Sequence, residues 1–215
     1  MADKLYYNTV TPYLKKVLLQ LMAAKEFEPF RLVGGTSLSL QRGHRFSADI
    51  DLFSDAEYGS LDFKTIDRYL RDNFPYIQTN NVEEIGAGKA YFIGERKEKS
   101  VKLDLFYTDK YINPALEKDK IRLAGIEDII AMKLEIIGNG GRKKDFWDIH
   151  ELENDYSLTA MIKLYEKRYP YGHKAKLIRK QFSDFELADD EPDPVCLKEK
   201  NWEIIKLDML DFSKT

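Results

Sequence analysis

The chain has 215 residues, a formal net charge of -3, and 43% apolar and 13% aromatic residues. That composition excludes a disordered chain, which lacks aromatics and carries a large net charge, and the length allows one core or two small lobes sharing a cleft. A net negative chain exerts no global pull on phosphate backbones, so nucleic-acid binding must come from local clusters of Lys and Arg.

In chain order, residues 12–24 place Leu14, Val17, Leu18 and Leu21 at the 3.6-residue period of a helix that buries one face, with Pro12 suited to its first turn. Residues 30–33 form a short extended piece running into Gly34 and Gly35, a tight corner ahead of a short helix from Thr36 to Arg42. Residues 46–53 alternate as a strand, with Ala48, Ile50 and Leu52 on one face and Asp49, Asp51 and Phe53 on the other. A surface helix follows over Asp62 to Phe74. Lys89 to Glu95 and Val101 to Tyr107 read as an antiparallel pair of strands joined by the charged turn Arg96 to Ser100. Beyond Asn113 and Pro114 the pattern is helical, over Gly125 to Ile137, Lys144 to Asn154, Thr159 to Arg168, Lys174 to Phe182 and Trp202 to Phe212. Asp184 to Pro194 is acidic, contains proline and reads as a loop. The fold class is therefore α+β: a small mixed sheet flanked by helices over residues 1–112, and an α-helical lobe over residues 113–215, packed as one compact unit.

Cys196 is the sole cysteine, so within the chain neither a disulfide nor a cysteine-based zinc site can form, which fits a reducing compartment. Asp3, Lys4 and Asn8 interrupt the N-terminus where a signal peptide needs an apolar stretch, and no run approaches the roughly 20 apolar residues of a membrane span. These features predict a cytoplasmic protein without a membrane segment.

Carboxylates at i and i+2 of a strand point to one side, about 6 to 7 Å apart, close enough to grip one hard cation or bridge two. Asp49 and Asp51 meet that spacing. Asp104 completes an oxygen set from an adjacent strand, because Leu103 and Leu105 face the other way. Three acids on one face repel one another, and Mg²⁺ or Mn²⁺ relieves the repulsion. Two such ions clamp the attacking and leaving oxygens of an in-line phosphoryl displacement. Upstream, the backbone N–H groups of Gly34, Gly35, Thr36 and Ser37 open a helix whose N-terminus can hold the triphosphate of an NTP. An Asp-x-Asp can also merely face solvent; the glycine corner beside it favours the metal reading.

GGTSLSLQRGHRFSADIDLF, residues 34–53, resembles the first motif of the nucleotidyltransferase toxins of the AbiEii/AbiGii type, within the DNA polymerase β-like superfamily. Asp104 sits like that superfamily's third carboxylate. KLEIIGNGGRKKDFWDIHEL, residues 133–152, is similar to the family's Lys, Arg and Lys-Asp-x-x-Asp motif, matched at Lys133, Arg142, Lys144, Asp145 and Asp148, with Gly138 to Gly141 inserted between Lys133 and Arg142. The resemblance covers roughly residues 30–155. It implies transfer of a nucleoside monophosphate from an NTP to an acceptor hydroxyl, with tRNA as a candidate acceptor and a cognate antitoxin as a candidate partner. It also implies active-site places for Lys133, Asp145 and Asp148, with Lys133 and Arg142 on the nucleotide phosphates.

Lys133 falls within the apolar stripe Ile126, Ile129, Ile130, Leu134 and Ile137. Either its stem snorkels at the stripe's edge, or it points into the cleft toward phosphates, as the resemblance implies. Asp145 and Asp148, neighbours at i and i+3 on the next helix, can pair structurally with Lys133 or belong to the active site. Arg45 matches an arginine in the family, and its structural role would be an ion pair with a nearby Asp. His44, His150 and His173 are scattered, lack zinc spacing and read as surface or packing residues. Lys174, Lys176, Arg179 and Lys180, in a basic segment interspersed with Tyr165, Tyr169 and Tyr171, form the candidate surface for acceptor RNA, unless the acidic stretch that follows folds back upon it. Two rivals stand beside the enzyme reading. One is a glycosyltransferase using Asp-x-Asp with Mn²⁺, which needs a longer Rossmann-like βαβ series; the other is a nucleotidyltransferase-like module that binds nucleotide or a partner without chemistry.

Overall fold

The computed structural model describes residues 4–79 and 87–215. The first helix, α1 (Pro12–Ala23), opens where the Thr11 hydroxyl accepts the Leu14 N–H and Pro12 occupies a position whose N–H a helix does not use. Its buried face is Leu14, Val17, Leu18, Leu21 and Met22. Then come β1 (Arg31–Leu32), α2 (Gly34–Arg42), β2 (Asp49–Ser54), α3 (Phe63–Asn73), β3 (Tyr76–Thr79), β4 (Gly88–Arg96) and β5 (Lys99–Tyr107). Two short strands follow, β6 (Leu116–Lys118) and β7 (Ile121–Leu123). The back of the chain is α4 (Ile126–Ile137), α5 (Lys143–His150), α6 (Leu158–Arg168), α7 (Ala175–Gln181), α8 (Glu186–Asp189) and α9 (Trp202–Phe212).

Among the described residues the strands form one sheet in the order β3-β4-β5-β2-β1-β7-β6. The pairs β2–β5 and β1–β7 are parallel and the others antiparallel, so the α+β architecture with a mixed sheet and a helical back is the one observed. Strands β6 and β7 lie ahead of the first helix of the back half, where the patterning signals no strand, and β7 joins β1 at Leu32 and Leu123. Three residues are too few to express a period of two.

Two apolar clusters flank the sheet. Ile50, Leu52, Leu103 and Leu105 on β2 and β5 are buried with the apolar faces of α1 and α3. Val33 and Leu38 join Ile129, Ile130, Leu134, Phe146, Trp147 and Met161 in the second, against which Phe53 packs from the opposite face of β2. That opposite face carries the aspartates. The acidic stretch contains α8 and folds against α5 and α9 rather than against the basic segment. Glu191 accepts the Lys143 N–H at 2.8 Å, Asp193 pairs with the Lys143 ammonium at 3.0 Å, and Asp189 accepts from the Trp202 indole at 2.6 Å. No helix among the described residues is long and apolar enough to cross a membrane.

Candidate active site

Strand β2 alternates buried and half-buried residues from Asp49 to Ser54, which puts Asp49, Asp51 and Phe53 on the open side. The parallel register with β5 sets Asp51 beside Asp104 and Asp49 beside Lys102. Gly34, with φ of 65°, opens α2 directly against this pair: a Cβ there would stand 2.6 Å from Asp51 Oδ2. A Cβ on Gly35 would run into the Arg45 guanidinium. The glycine corner thus lets both a carboxylate and a guanidinium reach the backbone. No side chain caps the N-terminus of α2, which leaves first-turn amides for an anion. The Thr36 hydroxyl is turned inward onto Ser47 and the Asp49 carbonyl, so Thr36 faces the corner with backbone only, whereas Ser37, expected at the phosphates, is engaged at both groups: its hydroxyl accepts from Gln41 and its N–H donates to the Val33 carbonyl at 3.4 Å.

Burial, and then the charges of Asp104 and Asp49, push the Asp51 carboxyl up to about 6, against the pull of Lys133 and Lys102. Asp104 Oδ2 accepts from the Lys102 ammonium at 2.5 Å, while its Oδ1 is buried without a hydrogen-bond partner among the described residues. A raised carboxyl, an orphaned carboxylate oxygen and an all-oxygen donor set suit the chemistry of a hard divalent cation such as Mg²⁺ or Mn²⁺, although the ligand atoms of the three acids do not all lie within 4.8 Å of one another.

Beside the acids lies a buried ion network. The Lys133 ammonium is 2.6 Å from Asp145 Oδ1 and 2.6 Å from Asp148 Oδ2. Arg45 grips Asp148 through Nε at 2.7 Å and a terminal nitrogen at 2.8 Å, and His44 Nε2 meets the same carboxylate at 2.8 Å. Asp145, at the third position of α5, reaches back to the half-exposed Arg142 guanidinium at 2.8 Å. Burial alone would raise Asp148, but Arg45, Lys133 and His44 overcome it and hold the carboxyl well below the usual range. His44 is lowered by burial, against the pull of Asp148.

The fold therefore gathers Gly34, Gly35, Asp49, Asp51 and Asp104 on one face, with Lys133, Arg142, Asp145 and Asp148 in the adjoining network, whose Lys133 acts on Asp51. The basic segment lies elsewhere and is partly engaged within the chain. Lys174 pairs with Glu135 at 2.6 Å, and Arg179 donates to the Ser213 carbonyl at 2.7 Å and to Thr159 at 2.9 Å. Arg168 is buried on Asp128. Lys163, Lys167, Lys176 and Lys180 are exposed.

Two residues escape sequence reasoning. Lys102 shares a strand face with Asp104 by the same i, i+2 rule that finds Asp49 and Asp51, so its position is readable. His44 carries no such signal, because its partner is 104 residues away. The fold also gathers His150, Glu153 and Asp208, with ligand atoms within 4.8 Å of one another. The Lys200 ammonium donates to His150 Nδ1 at 2.8 Å, which leaves the ring proton on Nε2 to donate to Asp208 at 2.9 Å. This cluster is a hydrogen-bonded tie between α5 and α9.

Against known families, the model described as nucleotidyl transferase AbiEii toxin, Type IV TA system, matches residues 16–215. An uncharacterized protein of Aquifex aeolicus (strain VF5) is 31% identical over 151 residues, 65% of this chain and 66% of that one, so the match spans just under two thirds of the relative. MenT4, a nucleotidyltransferase toxin from Mycobacterium tuberculosis H37Rv, has a similar structure with a TM-score of 0.56 at 13% identity, covering 92% of this chain and 79% of that chain. JHP933 from Helicobacter pylori gives a TM-score of 0.55 at 18% identity, covering 94% and 88%. At these identities the two structures share the fold.

Proposed function

We propose that this chain, which belongs to the AbiEii nucleotidyl transferase toxin family, moves a nucleoside monophosphate from an NTP to a hydroxyl of RNA such as tRNA, as a toxin opposed by a cognate antitoxin in the cytoplasm. The observation that carries the chemistry is the register of Asp51 with Asp104, with Asp49 on the same face and the uncapped N-terminus of α2 against them. In the reaction the acceptor oxygen bonds to the α-phosphorus while the bond from that phosphorus to pyrophosphate breaks. The amides of Gly34, Gly35 and Thr36 hold the triphosphate. Arg142 and Lys133 add positive charge beside it, and Asp104 helps the acceptor hydroxyl lose its proton. Asp145 and Asp148 position Lys133. Asp49, Asp51 and Asp104 are the residues that would hold Mg²⁺ or Mn²⁺, which supplies charge stabilisation for the displaced oxygens. The glycosyltransferase alternative gains no support from a sheet whose pairs are mostly antiparallel.

The test is incubation of the purified protein with each α-labelled NTP, Mg²⁺ or Mn²⁺ and total RNA. Label should enter one RNA class with one preferred NTP, and Asp49→Asn and Asp51→Asn should both abolish it. Full transfer by the Asp51→Asn variant would remove the acids from the reaction, and no label in any acceptor would favour a binding module.

A further inference from the structure

Lys102 lies on the acid face of β5, two residues before Asp104 and in register with Asp49. Its ammonium is 2.5 Å from Asp104 Oδ2, and its charge also acts on Asp49 and Asp51. The neighbouring cations are committed elsewhere: Lys133 to Asp145 and Asp148, Arg45 to Asp148, Arg142 to Asp145. Asp104 is thus served at one oxygen by Lys102, while its other oxygen is buried and unpaired among the described residues. A buried acceptor without a donor costs free energy that a ligand would recover. The lysine side chain is 39% exposed, and a four-carbon stem lets its ammonium move into water. A divalent cation taken by the free Oδ1 would share the Asp104 carboxylate with the Lys102 ammonium on Oδ2, and two positive charges that close repel.

We propose that Lys102 is a built-in counter-cation of the acid face, which occupies Asp104 when no divalent ion is bound and must be displaced when one arrives, so that it sets the affinity of the site for the ion. This rests on reading Asp49, Asp51 and Asp104 as the cation ligands. The lysine spares the empty site part of its carboxylate repulsion, and in return it competes with the metal.

The probe is Mn²⁺ alone, without nucleotide, titrated into the wild-type protein, Lys102→Met and Lys102→Arg by calorimetry and by electron paramagnetic resonance of the free ion. Lys102→Met should bind Mn²⁺ more tightly by on the order of tenfold, while Lys102→Arg, which keeps the charge, should stay near wild type. The metal-free Met variant should melt below wild type, and saturating Mn²⁺ should close the gap. Should Lys102→Met fail to fold, Lys102→Gln, which keeps a hydrogen-bond donor without the charge, gives the same reading. Equal or weaker Mn²⁺ binding by the uncharged variant would overturn the role of Lys102 and leave the acid site standing. Absence of Mn²⁺ binding in all the proteins would overturn the metal reading itself, and this proposal with it.

Discussion

Asp51 is forced into a position where its charge opposes folding. Burial, followed by Asp104 and Asp49, lifts its carboxyl to about 6 from 3.8. A carboxyl with a raised folded pKa binds its proton more tightly in the folded state, so its ionisation costs stability. That cost is complete above pH 6 and is relieved as pH falls toward 3.8. His44 acts in the other sense: burial depresses it, so acidification below its ordinary 6.5 favours the unfolded chain. Comparing Asp51→Asn with the wild type cancels the histidine. By scanning calorimetry on metal-free protein, the Asn variant should melt higher than wild type near pH 7.5, and this advantage should shrink near pH 5. A difference that does not change with pH would mean that neither burial nor the neighbouring acids raise the Asp51 carboxyl.

At the scale of elements, α4, α5 and the segment entering β2 are held together by charges buried from solvent. Asp148 has no exposed surface, and it accepts from His44, Arg45 and Lys133. Breaking such a group from one side leaves buried cations uncompensated, at a cost of about 3–5 kcal/mol. Asp148→Ala should therefore lose about that much stability in urea unfolding. Lys214→Ala, which removes a pair with Asp211 that is exposed on both sides, should lose almost nothing. Equal small losses would mean that the network is hydrated. The same geometry bears on Lys133. A lysine in an apolar stripe can snorkel or enter a cleft, and here it does neither simply: its ammonium is buried between two aspartates while its charge reaches Asp51.

For the whole molecule, a net charge of -3 makes the location of exposed lysines decisive. Lys163 and Lys167 project one turn apart from α6, and Lys176 and Lys180 one turn apart from α7, whereas Arg168, Lys174 and Arg179 hold the lobe together. If the four exposed lysines track acceptor RNA, their reversal to Glu should weaken RNA binding. It should also flatten the dependence on salt by about 0.7 in the log–log slope per lost single-strand contact. NTP affinity should not change. Binding measured across several salt concentrations with tRNA and an unstructured oligonucleotide decides this, and an unaltered slope would reduce the surface to a solvated helix face. Arg179→Glu should behave differently and lower the melting temperature, because its guanidinium anchors the Ser213 carbonyl and Thr159.

The long elements and the acid-bearing face are written in the sequence, because periods of 3.6 and 2 are local properties that a segment keeps wherever it packs. Thus α1, α4, α9, β2 and the β4–β5 hairpin lie close to their expected bounds, and Asp49 and Asp51 share the expected face. The short strands β6 and β7 have no period to show, and they exist because β1 offers β7 a partner and β7 offers one to β6. Alternation offers Asp104 as a candidate, but which residues meet the aspartates is settled by closure of the chain. Asp104 comes to Asp51 through the β2–β5 register, His44 and Arg45 come to Asp148 across more than 100 residues, and Lys133 finds Asp145 and Asp148 when α5 folds back on α4. An ion pair is a property of distance and dielectric, and neither exists along an extended chain.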